Sequence, residues 1–185
     1  MVMLFLKETT RFESPTDHSA VSRNLFRLSF WGASGSGATA LVSFIFNRSQ
    51  EGSWKTFASH VFKASLTSCV TFTAVAAYCF YNIKIISIMG GSENSLKTVN
   101  GRVSLFAKSS ALVGWVGAAA AWASQFLTSK ALVSSLAQHS SYPLLGLGTA
   151  GSILWIFNNR QIIKLAESRM SNALLSIDGK KNKVD

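Results

Sequence analysis

Long uncharged runs alternate along the chain with short basic connections. Three runs, 28–46 (LSFWGASGSGATALVSFIF), 64–83 (ASLTSCVTFTAVAAYCFYNI) and 109–127 (SSALVGWVGAAAAWASQFL), carry no Asp, Glu, Lys, Arg or His. A fourth, 141–157, lies within the stretch 131–159, which lacks Asp, Glu, Lys and Arg. A helix needs roughly 20 predominantly apolar residues to span a hydrocarbon core, so the pattern predicts four crossings. A soluble bundle with a small-residue core would show polar faces at helical spacing, and these runs lack them. The expected fold is an all-α membrane protein made of two tandem helical hairpins with basic trailing segments.

The connections give an orientation. Fourteen of the 18 basic residues fall in the N-terminal segment, the middle connection and the tail, and four fall in the other two loops. Such a bias fits an even number of crossings with both termini on the positive side, the cytoplasm or the mitochondrial matrix. Candidate contacts for lipid headgroups or partner subunits are Arg23, Arg27, Lys84, Arg102, Arg160 and Lys164.

The second half repeats the first at an offset near 80 residues. Leu25-Phe26 answers Leu105-Phe106, Phe80-Tyr81-Asn82-Ile83-Lys84 answers Phe157-Asn158-Asn159-Arg160-Gln161, and Asn100-Gly101-Arg102 answers Asp178-Gly179-Lys180. Each unit holds two crossings, so the repeat is parallel. The expected division is a basic N-terminal segment 1–27, a first two-span unit 28–102, a second unit 103–180 and a basic tail 181–185. Segment 83–99 reads either as a β-hairpin turning at Gly90-Gly91 or as a helix extension broken there. Its counterpart 162–172 reads as helix.

Composition agrees with a membrane class, since 48% of the residues are hydrophobic and 14% charged, against roughly 25% charged in soluble domains. The net charge of +10 would suggest nucleic acid in a soluble chain; spread between apolar runs it sets orientation, and direct DNA binding is not expected. Cys69 and Cys79 share one apolar run and imply no disulfide framework. The apolar start, residues 1–6, is too short for a signal sequence, and Glu8, Glu13 and Asp17 speak against a cleavable presequence, so organelle import would use internal signals.

Motifs of chemistry are weak. Gly146-Leu147-Gly148-Thr149-Ala150-Gly151 has the spacing of a dinucleotide fingerprint without its strand or its acidic residue, and Gly32–Thr39 has phosphate-loop glycines with Ala38 where the Lys belongs. Both read better as packing surfaces, with Ala33/Gly37, Gly114/Ala118 and Gly148/Ser152 as small-xxx-small pairs. His18, His60 and His139 are scattered without ligand spacing, and no Ser, His and Asp set is evident, so no metal, cofactor or catalytic residue is expected. Asn82 and Gln125 are the strongly polar side chains near span ends. Pro143 is expected in the first turn of the fourth helix.

Asn100-Gly101-Arg102-Val103-Ser104-Leu105-Phe106-Ala107 resembles the start of a light-harvesting helix, but Lys97 stands where that family needs a ligating Glu. A longer resemblance covers residues 1–102. Met3-Leu4-Phe5, Arg23 to Arg27 leading into Phe30-Trp31, then Lys84-Ile85-Ile86, Gly90-Gly91 and Leu96-Lys97-Thr98-Val99 resemble the layout of the transmembrane-protein-70/223 group of mitochondrial inner-membrane proteins. The resemblance implies a non-enzymatic helper of respiratory-complex or ATP-synthase assembly, or of insertion beside the mitoribosome. A second pair of spans stands where that family has a β-rich matrix domain. The expected role is an accessory subunit or assembly factor in contact with lipids and other membrane subunits, as a homo- or hetero-oligomer. A small transporter or channel, and a four-span organiser of the endoplasmic reticulum or plasma membrane, are the alternatives.

Overall fold

The computed structural model describes residues 18–89, 93–127 and 131–181. They form four helices, α1 (His18–Ser49), α2 (Ser53–Ile88), α3 (Glu93–Leu127) and α4 (Ala131–Lys181), with no strand among the described residues. Residues 1–17, 90–92, 128–130 and 182–185 lie outside them, and with them the apolar start, the Gly90-Gly91 break, Lys130 and most of the basic tail.

Hydroxyl-rich runs hold as helix because many hydroxyls bond back to their own helix. Ser34 donates to Phe30 O at 2.9 Å, Thr39 to Gly35 O at 2.9 Å, Thr67 to Lys63 O at 3.0 Å, Thr71 to Thr67 O at 2.9 Å and Thr149 to Leu145 O at 2.8 Å. Each hydroxyl is thereby satisfied without solvent. The α1–α2 turn depends on Gly52, whose φ of +68° lies in the left-handed region that side chains disfavour.

Several boundaries differ from the sequence pattern. Helix α3 begins at Glu93, not near 109, so the expected unit boundary at 102/103 falls inside it. The reason is a buried seam through Leu96, Asn100, Val103, Ala107, Ser110, Gly114, Ala118 and Ala121. Its steps of three and four residues give the helix one continuous packing edge. Segment 83–99 is no β-hairpin: α2 runs to Ile88, the Met89 N–H closes on Ile85 O at 2.9 Å, and α3 starts four residues later. Pro143 lies well inside α4 rather than in its first turn, because the whole stretch from Ala131 is helical. The missing N–H costs α4 one backbone bond to His139, and the packing described below holds α4 just beyond it.

The helices form two antiparallel hairpins. Within α1–α2, Phe26 meets Phe80 (5.9 Å between ring centroids) and Phe44 meets Phe62 (5.8 Å), with the Gly32 backbone under the Phe72 ring. Within α3–α4, Gly114 lies against Gly148, and Gly151 against Ala107, Ser110 and Ala111, so close that a Cβ at Gly114 or Gly151 would strike backbone. Between hairpins two of the hydrogen-bonded contacts join parallel helices: Ser68 Oγ donates to Gly146 O at 2.9 Å, 78 residues away, and Asn100 reaches His18, 82 residues away. That register equals the offset of the sequence repeat. Equivalent helices therefore touch, α2 with α4 near the α1–α2 turn and α1 with α3 at the opposite end.

Many large side chains point outward. All five tryptophans are exposed, as are Leu41, Ile45, Val70, Leu112 and Ile156, whereas the buried positions include Ala40, Ala107, Ala118, Ala150, Ser22, Ser29, Ser110 and Ser141. Two helices, α2 and α3, are long and apolar enough to cross a membrane by length and composition, and only 22% and 33% of their most apolar stretches are buried. Helices α1 and α4 contain comparable uncharged runs diluted by Gly, Ser and Asn.

Gly151→Ala pushes a methyl against the α3 backbone and should lower stability by about 1–3 kcal/mol. Gly35→Ala enters open space and should be neutral or stabilising by up to ~1 kcal/mol. Denaturant unfolding followed by circular dichroism measures both, and equal losses would contradict the close approach.

Candidate functional site

The end of the bundle formed by the start of α1, the end of α2, the start of α3 and the distal part of α4 carries a buried polar cluster inside a basic rim. The cluster is built on Asn100, 1% exposed, which the α3 seam turns inward between Leu96 and Val103. Its Oδ1 accepts the Ser22 hydroxyl at 2.7 Å, and its Nδ2 donates to His18 O at 3.1 Å with His18 Nδ1 3.5 Å away. Its main-chain carbonyl accepts Asn158 Nδ2 of α4 at 3.1 Å. Ser22 and Asn158 are fully buried. A half-buried bond from Asn24 Nδ2 to Gln161 Oε1 (3.4 Å) ties α1 to α4 beside it. Three helices are thus clamped by amides and a hydroxyl, while Asn158 Oδ1 and Ser29 Oγ are buried with no partner among the described residues.

Around the clamp lie all six basic residues expected at headgroups or partners. Arg23 and Arg27 are half-buried on α1, and Lys84, Arg102, Arg160 and Lys164 are exposed on the other three helices. The antiparallel hairpins bring them to one end. The other end is less basic: Arg48 sits over the Phe44 ring (4.9 Å to its centroid), and His60 of α2 stacks on Tyr142 of α4 at 3.8 Å.

The six small residues expected to pack helices are divided among the interfaces. Gly114 and Gly148 face each other across α3–α4, and Ala118 is buried further along α3. Ser152 accepts the Trp115 indole N–H at 3.0 Å. On α1, the Ala33 carbonyl lies 3.4 Å from Cys69 Sγ, and a Cβ at Gly37 would also lie 3.4 Å from that sulfur. Gly32, Gly146 and Gly151, inside the two segments expected to be packing surfaces but outside the small-xxx-small pairs, are each in closer contact than Gly37. The pattern overlooked Asn100 and Asn158, because one fell in an assumed trailer and the other at a span end. The three-and-four spacing of Leu96, Asn100, Val103 and Ala107 was the available signal. Asn82 bonds only to Tyr78 O of its own helix among the described contacts (2.8 Å), and Gln125 lies outside the described side chains.

Chemically the cluster is a hydrogen-bonded clamp. Its amides and hydroxyl exchange hydrogen bonds between helices, and no group of three His, Cys, Asp or Glu gathers to hold a metal among the described residues.

Asn100→Leu strands the Ser22 hydroxyl and should cost about 1–3 kcal/mol. Adding Ser22→Ala removes the stranded partner and should restore part of the loss. Asn82→Ala should change stability by less than ~0.5 kcal/mol. Additive losses in the Ser22→Ala/Asn100→Leu cycle would show that the two side chains act independently.

The chain matches no protein-family model, no curated protein and no solved structure.

Proposed function

We propose that this chain is a non-catalytic, multi-pass membrane protein that serves as an accessory subunit or assembly factor of a membrane complex, with the mitochondrial inner membrane as its site and both termini in the matrix. The observation that carries the reading is the apolar exterior. All five tryptophans and many leucines, isoleucines and valines are exposed, while alanine and serine share the inside with a core of Leu25, Phe72, Val75, Val103 and Leu154. Water would penalise so large an exposed apolar surface, whereas lipid accepts it and leaves close backbone packing to hold helices together.

Lengths support the same reading. Helices of 32, 36, 35 and 51 residues reach about 48–77 Å at 1.5 Å per residue, against a hydrocarbon core of roughly 30 Å. Each would cross and project into the headgroups, and the basic rim would stand on the positive side. The helper role and the mitochondrial site rest on the layout shared with the transmembrane-protein-70/223 group. A bundle packed backbone to backbone offers partners its outer face and its rim.

Carbonate extraction of mitochondria should leave the chain in the pellet, and mild solubilisation should recover it in a large complex; migration as a free monomer counts against the helper role. In a Cys69→Ala/Cys79→Ala background, an impermeant maleimide should label Glu51→Cys in mitoplasts and Ser95→Cys only after the membrane is opened. The reverse pattern overturns the orientation.

A further inference from the structure

A groove of about 380 Å³ runs between α2 and α3, lined by Ala74, Val75, Tyr78, Arg102, Val103 and Phe106. That volume falls within the roughly 300–1,000 Å³ of small-ligand sites, which combine apolar walls with a few placed polar groups. Tyr78 and Arg102 are the lining residues nearest the basic rim on their helices. Ala74 and Phe106 lie one turn further toward the middle, about 6 Å along each axis.

Two observations indicate what the groove holds. The Tyr78 hydroxyl is buried and has no hydrogen-bond partner among the described residues, an unusual state for a phenol that normally finds one. Arg102 is exposed, and no described residue forms an ion pair with it. An exposed cation thus stands at the outer end of an apolar channel, and the facing helix carries a phenol whose hydroxyl is buried and unused. The gap between α1 and α4, its counterpart in the repeat, is bridged by Asn24 and Gln161.

We propose that the groove binds an anionic phospholipid, its phosphate on the Arg102 guanidinium, a headgroup oxygen accepting the Tyr78 hydroxyl once the phenol turns outward from its buried position, and one acyl chain lying over Val75, Val103 and Phe106. The proposal rests on the membrane reading above. A free phosphate would leave the apolar walls uncovered. A zwitterionic lipid would bring its own ammonium to the guanidinium, so the site selects net negative charge.

Native mass spectrometry of the solubilised chain, titrated with phosphatidylglycerol, phosphatidylcholine and glycerol 3-phosphate, tests this, with carbonate extraction run on the same variants. The wild type should prefer phosphatidylglycerol over phosphatidylcholine roughly fivefold, the factor one basic side chain gives at an anionic surface. Arg102→Gln should abolish the preference, Tyr78→Phe should weaken phosphatidylglycerol binding, and Lys108→Gln, on an exposed α3 position outside the groove, should leave it intact. Glycerol 3-phosphate should not compete. The assignment is overturned if Arg102→Gln keeps the preference, if Lys108→Gln loses as much, or if glycerol 3-phosphate displaces the lipid. No preference in a carbonate-resistant wild type removes the groove assignment and leaves the membrane reading standing, whereas extraction of the wild type by carbonate removes both.

Discussion

The fold depends on helices approaching until backbone touches backbone. Where Gly114 meets Gly148, where Gly151 lies on Ala107 and Ala111, and where Gly146 meets Ala64, no space remains for a side chain. Where main chain meets main chain the larger side chains are turned to the exterior, and those that stay inside, Leu25, Phe72, Val75, Val103 and Leu154 among them, gather in one core cluster. That one constraint accounts for the exposed tryptophans, the alanine and serine seams and the hydroxyls folded back on their own carbonyls. In lipid such contact gains dispersion energy and excludes no better alternative, since lipid tails solvate leucine as well as another leucine does.

Close packing alone does not fix register, because a surface of small residues can slide. The asparagine clamp supplies direction. Asn100 binds Ser22 and His18 on α1 and offers its carbonyl to Asn158 on α4, so a shift of one turn would strand buried polar groups, each costing about 1–3 kcal/mol. The clamp lies at the end where α1 and α3 touch. At the other end α2 and α4 touch, through the His60–Tyr142 stack and the Ser68 bond to Gly146. The two hairpins are thus pinned at both ends by different chemistry, and both pins join residues about 80 apart.

Sequence patterning carried the helical class and the position of every uncharged run, since charge exclusion over nearly twenty residues is a strong signal. Helix ends were poorly legible. The residues from Leu96 to Lys108 carry Lys97, Arg102 and Lys108, and charges on an outward face interrupt a hydropathy run without interrupting a helix. Reading the inward face alone, Leu96, Asn100, Val103 and Ala107, restores the continuity. Pro143 misled for a related reason: proline usually marks a first turn, but here the helix is held beyond it by the contacts of Gly146 and Gly148. Small-residue motifs indicated that helices pack and not which glycines touch, because the three glycines of α1 present different faces and only a neighbour decides among them. Thus Gly35 faces open space while Gly32 lies under Phe72.

A bundle in which α3 and α4 touch backbone to backbone has little freedom to open. Prising α3 from α4 would part several backbone contacts at once and expose glycine surface that no side chain could cover, so alternating access within one chain would be costly. Action at the exterior carries no such cost, and the rim concentrates the means for it: six basic residues spread over four helices that the clamp keeps in fixed relation. The two gaps at that end differ, one bridged by Asn24 and Gln161 and the other open beside Arg102. A repeat with equivalent halves would treat its surroundings alike on both sides; the asymmetry gives this rim a front. A helper that must dock one way on a larger assembly needs that distinction, and a symmetric pore between the two halves does not.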